Sequence, residues 1–247
     1  MRSSCTASGR SGATSLFEPG GSCLDPGHRQ PVRLAVETAL VTATTLAAVR
    51  GLHETPAAGL QWLLIPSLLV AAALVPTWVA RRQFPRIGLD SGHARQTLWT
   101  VCTVGLCVLP IGLLGLWIAA RWHLPIPVGP VIAGPGGWPA WLLYQFLYVA
   151  VAEEVFFRGY VQANIMRLLQ GRPKISPTWQ QAVAVLASAA CFALAHVLVQ
   201  GRGTALLTFV PGLLLAWLFI RTRSLLGPML FHGLANVSYG VMALALA

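Results

Sequence analysis

Charge is what this sequence lacks. Of 247 residues, 10% are Asp, Glu, Lys or Arg, and only seven are acidic. Soluble domains carry about 25% charged residues. A chain this long with so few charges cannot cover a water-facing surface, and 55% of it is hydrophobic, with a mean hydropathy of +0.66. These values exclude an ordinary soluble enzyme and predict a polytopic membrane protein. A net charge of +10 would suggest nucleic acid in a soluble chain. In a membrane chain, surplus Lys and Arg belong in cytoplasmic loops, so no nucleic-acid partner is expected.

A spanning helix needs about 20 mostly apolar residues. Seven runs qualify: 34–52, 60–80, 96–120, 138–158, 179–199, 204–221 and 225–246. The expected fold is therefore an all-α membrane bundle of about seven transmembrane helices. Residues 1–31, rich in Ser, Gly, Pro and Arg, read as a disordered tail and lack the apolar core of a signal peptide. Residues 32–247 form the transmembrane domain. Its longest loop is the Gly/Pro-rich stretch from Arg121 to Gly137. The cysteines (Cys5, Cys23, Cys102, Cys107 and Cys191) contain no C-x-x-C pair and predict neither a disulfide framework nor a zinc knuckle.

Basic residues sort the connections. The tail and every second connection after it hold Arg2, Arg10, Arg29 and Arg33; Arg81, Arg82, Arg86 and Arg95; Arg167, Arg172 and Lys174; and Arg221 and Arg223, thirteen in all. The other side holds only Arg50, Arg121 and Arg202. The positive-inside rule makes the thirteen, and the N-terminus, cytoplasmic. Beyond Arg158, Val161, Ile165, Leu168 and Leu169 recur at helical spacing. They predict that the fourth helix continues as an amphipathic piece on the inner surface.

Charges inside a span are costly and mark function. The fourth span places Glu153 and Glu154 side by side, with Arg158 beyond them. Glu154 and Arg158 are spaced i, i+4 with the acid first, the favourable order for an ion pair. Successive helical residues point about 100° apart, so Glu153 must find its partner on another helix, which suits it to general-base work. The fifth span supplies His196 and the seventh His232 and Asn236, the last two on one face. Taken singly, a buried His is often a helix–helix hydrogen bond and a Glu–Arg pair a structural lock. Their convergence on three helices points to a site. His28, His53, His93 and His123 fall in the tail and the connections. Serine-protease, aspartyl-protease and H-E-x-x-H signatures are missing.

Glu153-Glu154-x-x-x-Arg158, Phe192-x-x-x-His196 and His232-x-x-x-Asn236 resemble the three motifs of the CPBP family, which includes type II CAAX prenyl proteases and bacterial Abi/bacteriocin-immunity proteins. The resemblance covers about residues 138–240. Arg86-Ile87-Gly88-Leu89 also looks like a family element. It implies an intramembrane endopeptidase of the bacterial inner membrane, acting on a membrane-associated or lipid-modified substrate. Glu153 would activate water, supported by Glu154 and Arg158. His196 would hold the water, with Phe192 packing beside it. His232 and Asn236 would donate to the oxyanion. The reading favours a glutamic mechanism with no cofactor. Zinc on Glu153, Glu154, His196 and His232 is the alternative. Two other functions stay open: a non-enzymatic immunity or scaffold protein, and a transporter with a Glu153/Glu154 proton relay.

Two features depart from expectation. The family core has eight helices, which makes a re-entrant piece within 121–137 a candidate eighth. At ~1.5 Å per residue across a ~30 Å core, Glu153 lies about 8 Å from the inner face, His232 about 10 Å and His196 about 25 Å. The mismatch disappears if 179–186 lies at the interface and the fifth span starts near Ala187.

Overall fold

The computed structural model describes residues 29–54, 58–88, 91–123, 137–170, 172 and 175–246. The expected tail, Lys174, Leu89 and the candidate re-entrant piece lie wholly or largely outside them. The described residues form helices and no strands: α1 (Arg29–Glu54), α2 (Ala58–Val79), α3 (Ser91–Arg121), α4 (Gly137–Leu169), α5 (Pro177–Gln200), α6 (Gly203–Thr222) and α7 (Leu226–Leu246). The first six are long and apolar enough to cross a membrane. Every predicted run corresponds to one helix. His53 and His93, expected in connections, sit instead in the last turn of α1 and the first turn of α3.

Local chemistry sets the helix ends. Ser176 caps α5 by accepting from the Trp179 N–H, with Pro177 in the first turn; both are preferred there. Gly201 ends the helix at φ +65°, returning its N–H to the Val197 carbonyl, a conformation glycine adopts freely. No break marks Ala187. At ~1.5 Å per residue, the 24 residues of α5 exceed a ~30 Å core by about one turn, and Ser176, Pro177, Thr178 and Trp179 are exposed.

α4 is the central element, packed against α1, α2, α5, α6 and α7. It alternates: Tyr144–Ala150 and Val155–Gln162 are π-helical, and Val151–Glu154 between them is α-helical. Phe156, Phe157 and Tyr160 are almost wholly buried and join Phe192, Phe219 and Leu225 in the main core. The tail of α4 does not lie on a surface as its amphipathic pattern predicts. Val161, Ala163, Asn164 and Met166 are buried and Ile165 packs against the core, because α1 and α5 close over this segment.

The outer faces are apolar. Trp99, Leu106 and Ile111 of α3 and Val75 and Trp78 of α2 are more than half exposed, as lipid-facing residues must be. At one end the connections interlock. Leu225 and Leu226 N–H donate to the Arg86 and Ile87 carbonyls, both at 3.1 Å, and the Ser224 hydroxyl donates to Ile87. Gly88 has φ +80°, and a Cβ there would fall on the Ser224 side chain. Arg167 donates to the Gln83 carbonyl and Arg82 pairs with Glu37. The basic connections after α2, α4 and α6 therefore share one end of the bundle. Arg50 holds the Leu198 carbonyl near the C-terminus of α5.

Candidate active site

The two glutamates are treated differently by the fold. Glu154 is fully buried, and its Oε1 accepts from Arg158 Nη1 at 3.0 Å and from His232 Nδ1 at 2.7 Å. Arg158, also fully buried, donates from Nη2 to the Gly212 carbonyl at 3.0 Å and stands 4.7 Å from the Phe192 ring centroid. The guanidinium thus meets a carboxylate, a carbonyl and an aromatic face, the partners a buried cation needs. The i, i+4 pairing expected from spacing is present.

Glu153 is 20% exposed, and its Oε2 lies 3.8 Å from His232 Nε2. One imidazole therefore spans both carboxylates, Nδ1 bonded to Glu154 and Nε2 more loosely beside Glu153. Glu153 also lines a cavity of about 210 Å³ between α2 and α4, walled by Trp62, Ile65 and Leu69 on one side and Tyr144 and Tyr148 on the other. Glu153 Oε2 and Glu154 Oε2 are buried acceptors with no hydrogen-bond donor among the described residues.

His196 joins through Phe192. Its Nδ1 donates to the Phe192 carbonyl at 3.0 Å and its ring centroid lies 4.4 Å from the Phe192 ring. With Nδ1 donating, Nε2 is the ring nitrogen left to meet another group. The Phe192 ring stands edge-on to His232 at 5.9 Å. The two histidines of α5 and α7 thus pack against one aromatic ring. Asn236 shares the α7 face of His232, and its Nδ2 donates to Gln145 Oε1 at 3.0 Å.

Sequence reasoning named Glu153, Glu154, Arg158, Phe192, His196, His232 and Asn236, and the structure brings all seven into one region. It missed Gln145 and the aromatic wall. Gln145 lies eight residues before Glu153, a spacing that a plain α-helix would turn to another face. Three or more His, Cys, Asp or Glu residues placed to hold a metal ion are not found among the described residues.

Residues 135–238 match the family model of the type II CAAX prenyl endopeptidases, Rce1-like. The matched span contains every residue just named. No curated protein and no solved structure matches the chain. With six helices long and apolar enough to cross a bilayer, the match makes this an integral, multi-pass membrane protein.

Proposed function

From the premise that residues 135–238 form a domain of the Rce1-like type II CAAX prenyl endopeptidase family, we propose that the chain is a glutamic intramembrane endopeptidase of the bacterial inner membrane. Its substrate is a membrane-associated or lipid-modified protein segment, cut in the cytoplasmic half of the bilayer. The observation that carries this reading is the division of labour between the adjacent glutamates. Arg158 and His232 hold Glu154 still, while Glu153 lines the cavity and keeps its Oε2 without a hydrogen-bond donor among the described residues.

Glu153 takes a proton from water as the water oxygen attacks the scissile carbonyl. His196 Nε2 steadies that water. Asn236 donates to the developing oxyanion. When the carbon–nitrogen bond breaks, Glu153 returns the proton to the leaving amine. His232 acts between the two carboxylates, since both its ring nitrogens face them; this differs from the oxyanion role implied by the resemblance. Zinc fits these residues poorly. A catalytic zinc takes three protein ligands, whereas Glu154 Oε1 and His232 Nδ1 are committed to each other and both histidines pack against the Phe192 ring.

The test uses purified protein in liposomes and an internally quenched, farnesylated peptide ending in a CAAX sequence. Wild type is expected to cleave it, and Glu153→Gln to lower kcat about 10³-fold, within the range for a lost general base. Activity is expected to survive 1,10-phenanthroline. Cleavage by Glu153→Gln at the wild-type rate overturns the assignment of the base. Loss on chelation with recovery on added zinc overturns the metal-free mechanism.

A further inference from the structure

Asn236 reaches the site on a side chain whose two ends are chemically opposite. Its amide presents two N–H donors from Nδ2 and an acceptor at Oδ1. Half a turn about the last torsion would exchange them, and an acceptor aimed at a developing oxyanion would repel it. Something must therefore hold the amide. The hydrogen bond the structure gives it is from Nδ2 to Gln145 Oε1, at 3.0 Å across the α4–α7 interface. We propose that Gln145 is a positioning residue that fixes the Asn236 amide with its donor end toward the site. The proposal rests on the endopeptidase reading above.

Three observations support it. The first is register. Eight residues separate Gln145 from Glu153, about 2.2 turns of a 3.6-residue helix, some 80° out of line. The segment Tyr144–Ala150 is π-helical, and its wider i→i+5 turns restore the alignment. Both residues then meet one face of α7, Glu153 opposite His232 and Gln145 opposite Asn236. The second is rigidity. The Phe146 ring seats on Gly233 and the Trp141 ring on Gly240, where a Cβ would collide with each ring. These contacts bracket the amide pair on both helices. The third is valence. The bond to Gln145 uses one N–H of Nδ2 and leaves the second for an oxyanion.

The experiment measures kcat and KM on the quenched farnesylated peptide. Gln145→Met keeps length and removes the acceptor; kcat is expected to fall about tenfold or more with KM within twofold, the signature of an interaction made in the transition state. In an Asn236→Ala background, Gln145→Met is expected to change kcat less than twofold, because its action runs through Asn236. Multiplying losses in that background, or wild-type kcat in Gln145→Met, overturns the proposal. A crystal structure of Gln145→Met reads the orientation without substrate: Asn236 is expected to leave its present position, and an unmoved Asn236 overturns the proposal. A wild-type protein that cleaves no peptide counts against the endopeptidase reading alone.

Discussion

Glu153 and Glu154 are identical side chains on consecutive residues, and the helix gives them opposite environments. Glu154 points at Arg158 and His232 in the dry interior, while Glu153 opens on the cavity. Their neutralisation therefore has different consequences. Glu154→Gln leaves the Arg158 guanidinium buried without its counter-charge, which typically costs about 3–5 kcal/mol. Thermal unfolding in detergent is expected to show a large loss of Tm for Glu154→Gln and little change for Glu153→Gln. Equal shifts would show that the two carboxylates share one structural role. Much of this was legible in the sequence because acids are so scarce: two of seven sit together in an apolar run, and i, i+4 spacing assigns one of them to Arg158. Gln145 was not legible. It is uncharged and belongs to no motif, and its alignment with Glu153 depends on a π-helical turn that residue periodicity does not reveal.

At the scale of elements, the site depends on how α4 meets α7. Aromatic rings from α4 rest on glycines of α7, Phe146 on Gly233 and Trp141 on Gly240. This close approach through small residues is how membrane helices associate. Gly233 also follows His232 directly, so a side chain added there presses on the ring and shifts the histidine. Gly233→Ala is expected to lower stability by about 1–3 kcal/mol, the usual range for overpacking, and to reduce peptide cleavage. Adding Phe146→Ala makes room and is expected to restore part of the cleavage, though not the full stability. Cleavage unaffected by Gly233→Ala would show that the contact does not set the position of His232. The spans themselves were readable, since each long apolar run became a helix. The place of residues 161–169 was not legible, because an amphipathic stripe looks the same against a membrane surface as against neighbouring helices. Here α1 and α5 provide the cover. The Arg86-Ile87-Gly88 segment stands out in the sequence, but its physical purpose lies in the fold: the Arg86 and Ile87 carbonyls receive the start of α7, the helix that carries His232 and Asn236.

For the whole molecule, the distribution of Arg becomes a statement about orientation. The connections after α2, α4 and α6 meet at one end, through Arg167 to Gln83 and through Leu225 and Leu226 to Arg86 and Ile87. Eight of the thirteen basic residues assigned to the cytoplasm from sequence are in or directly beside these connections: Arg81, Arg82, Arg86, Arg167, Arg172, Lys174, Arg221 and Arg223. Arg50 and Arg202 flank the opposite end, beside the C-terminus of α5. The charge bias and the packing thus divide the same loops in the same way, although they have independent physical origins: one reflects insertion, the other helix contacts. The bias predicts the membrane sidedness, with this end of the bundle cytoplasmic. Single cysteines introduced into a cysteine-free background test this in intact cells. Arg202→Cys is expected to react with a membrane-impermeant maleimide from outside. Arg81→Cys and Arg221→Cys, both at exposed positions, are expected to react only after permeabilisation. The reverse pattern would invert the bundle and put the cut in the outer half. Labelling of Arg81→Cys and Arg221→Cys from opposite sides would break the parity of the spans, and with it the arrangement that brings α4, α5 and α7 to one site.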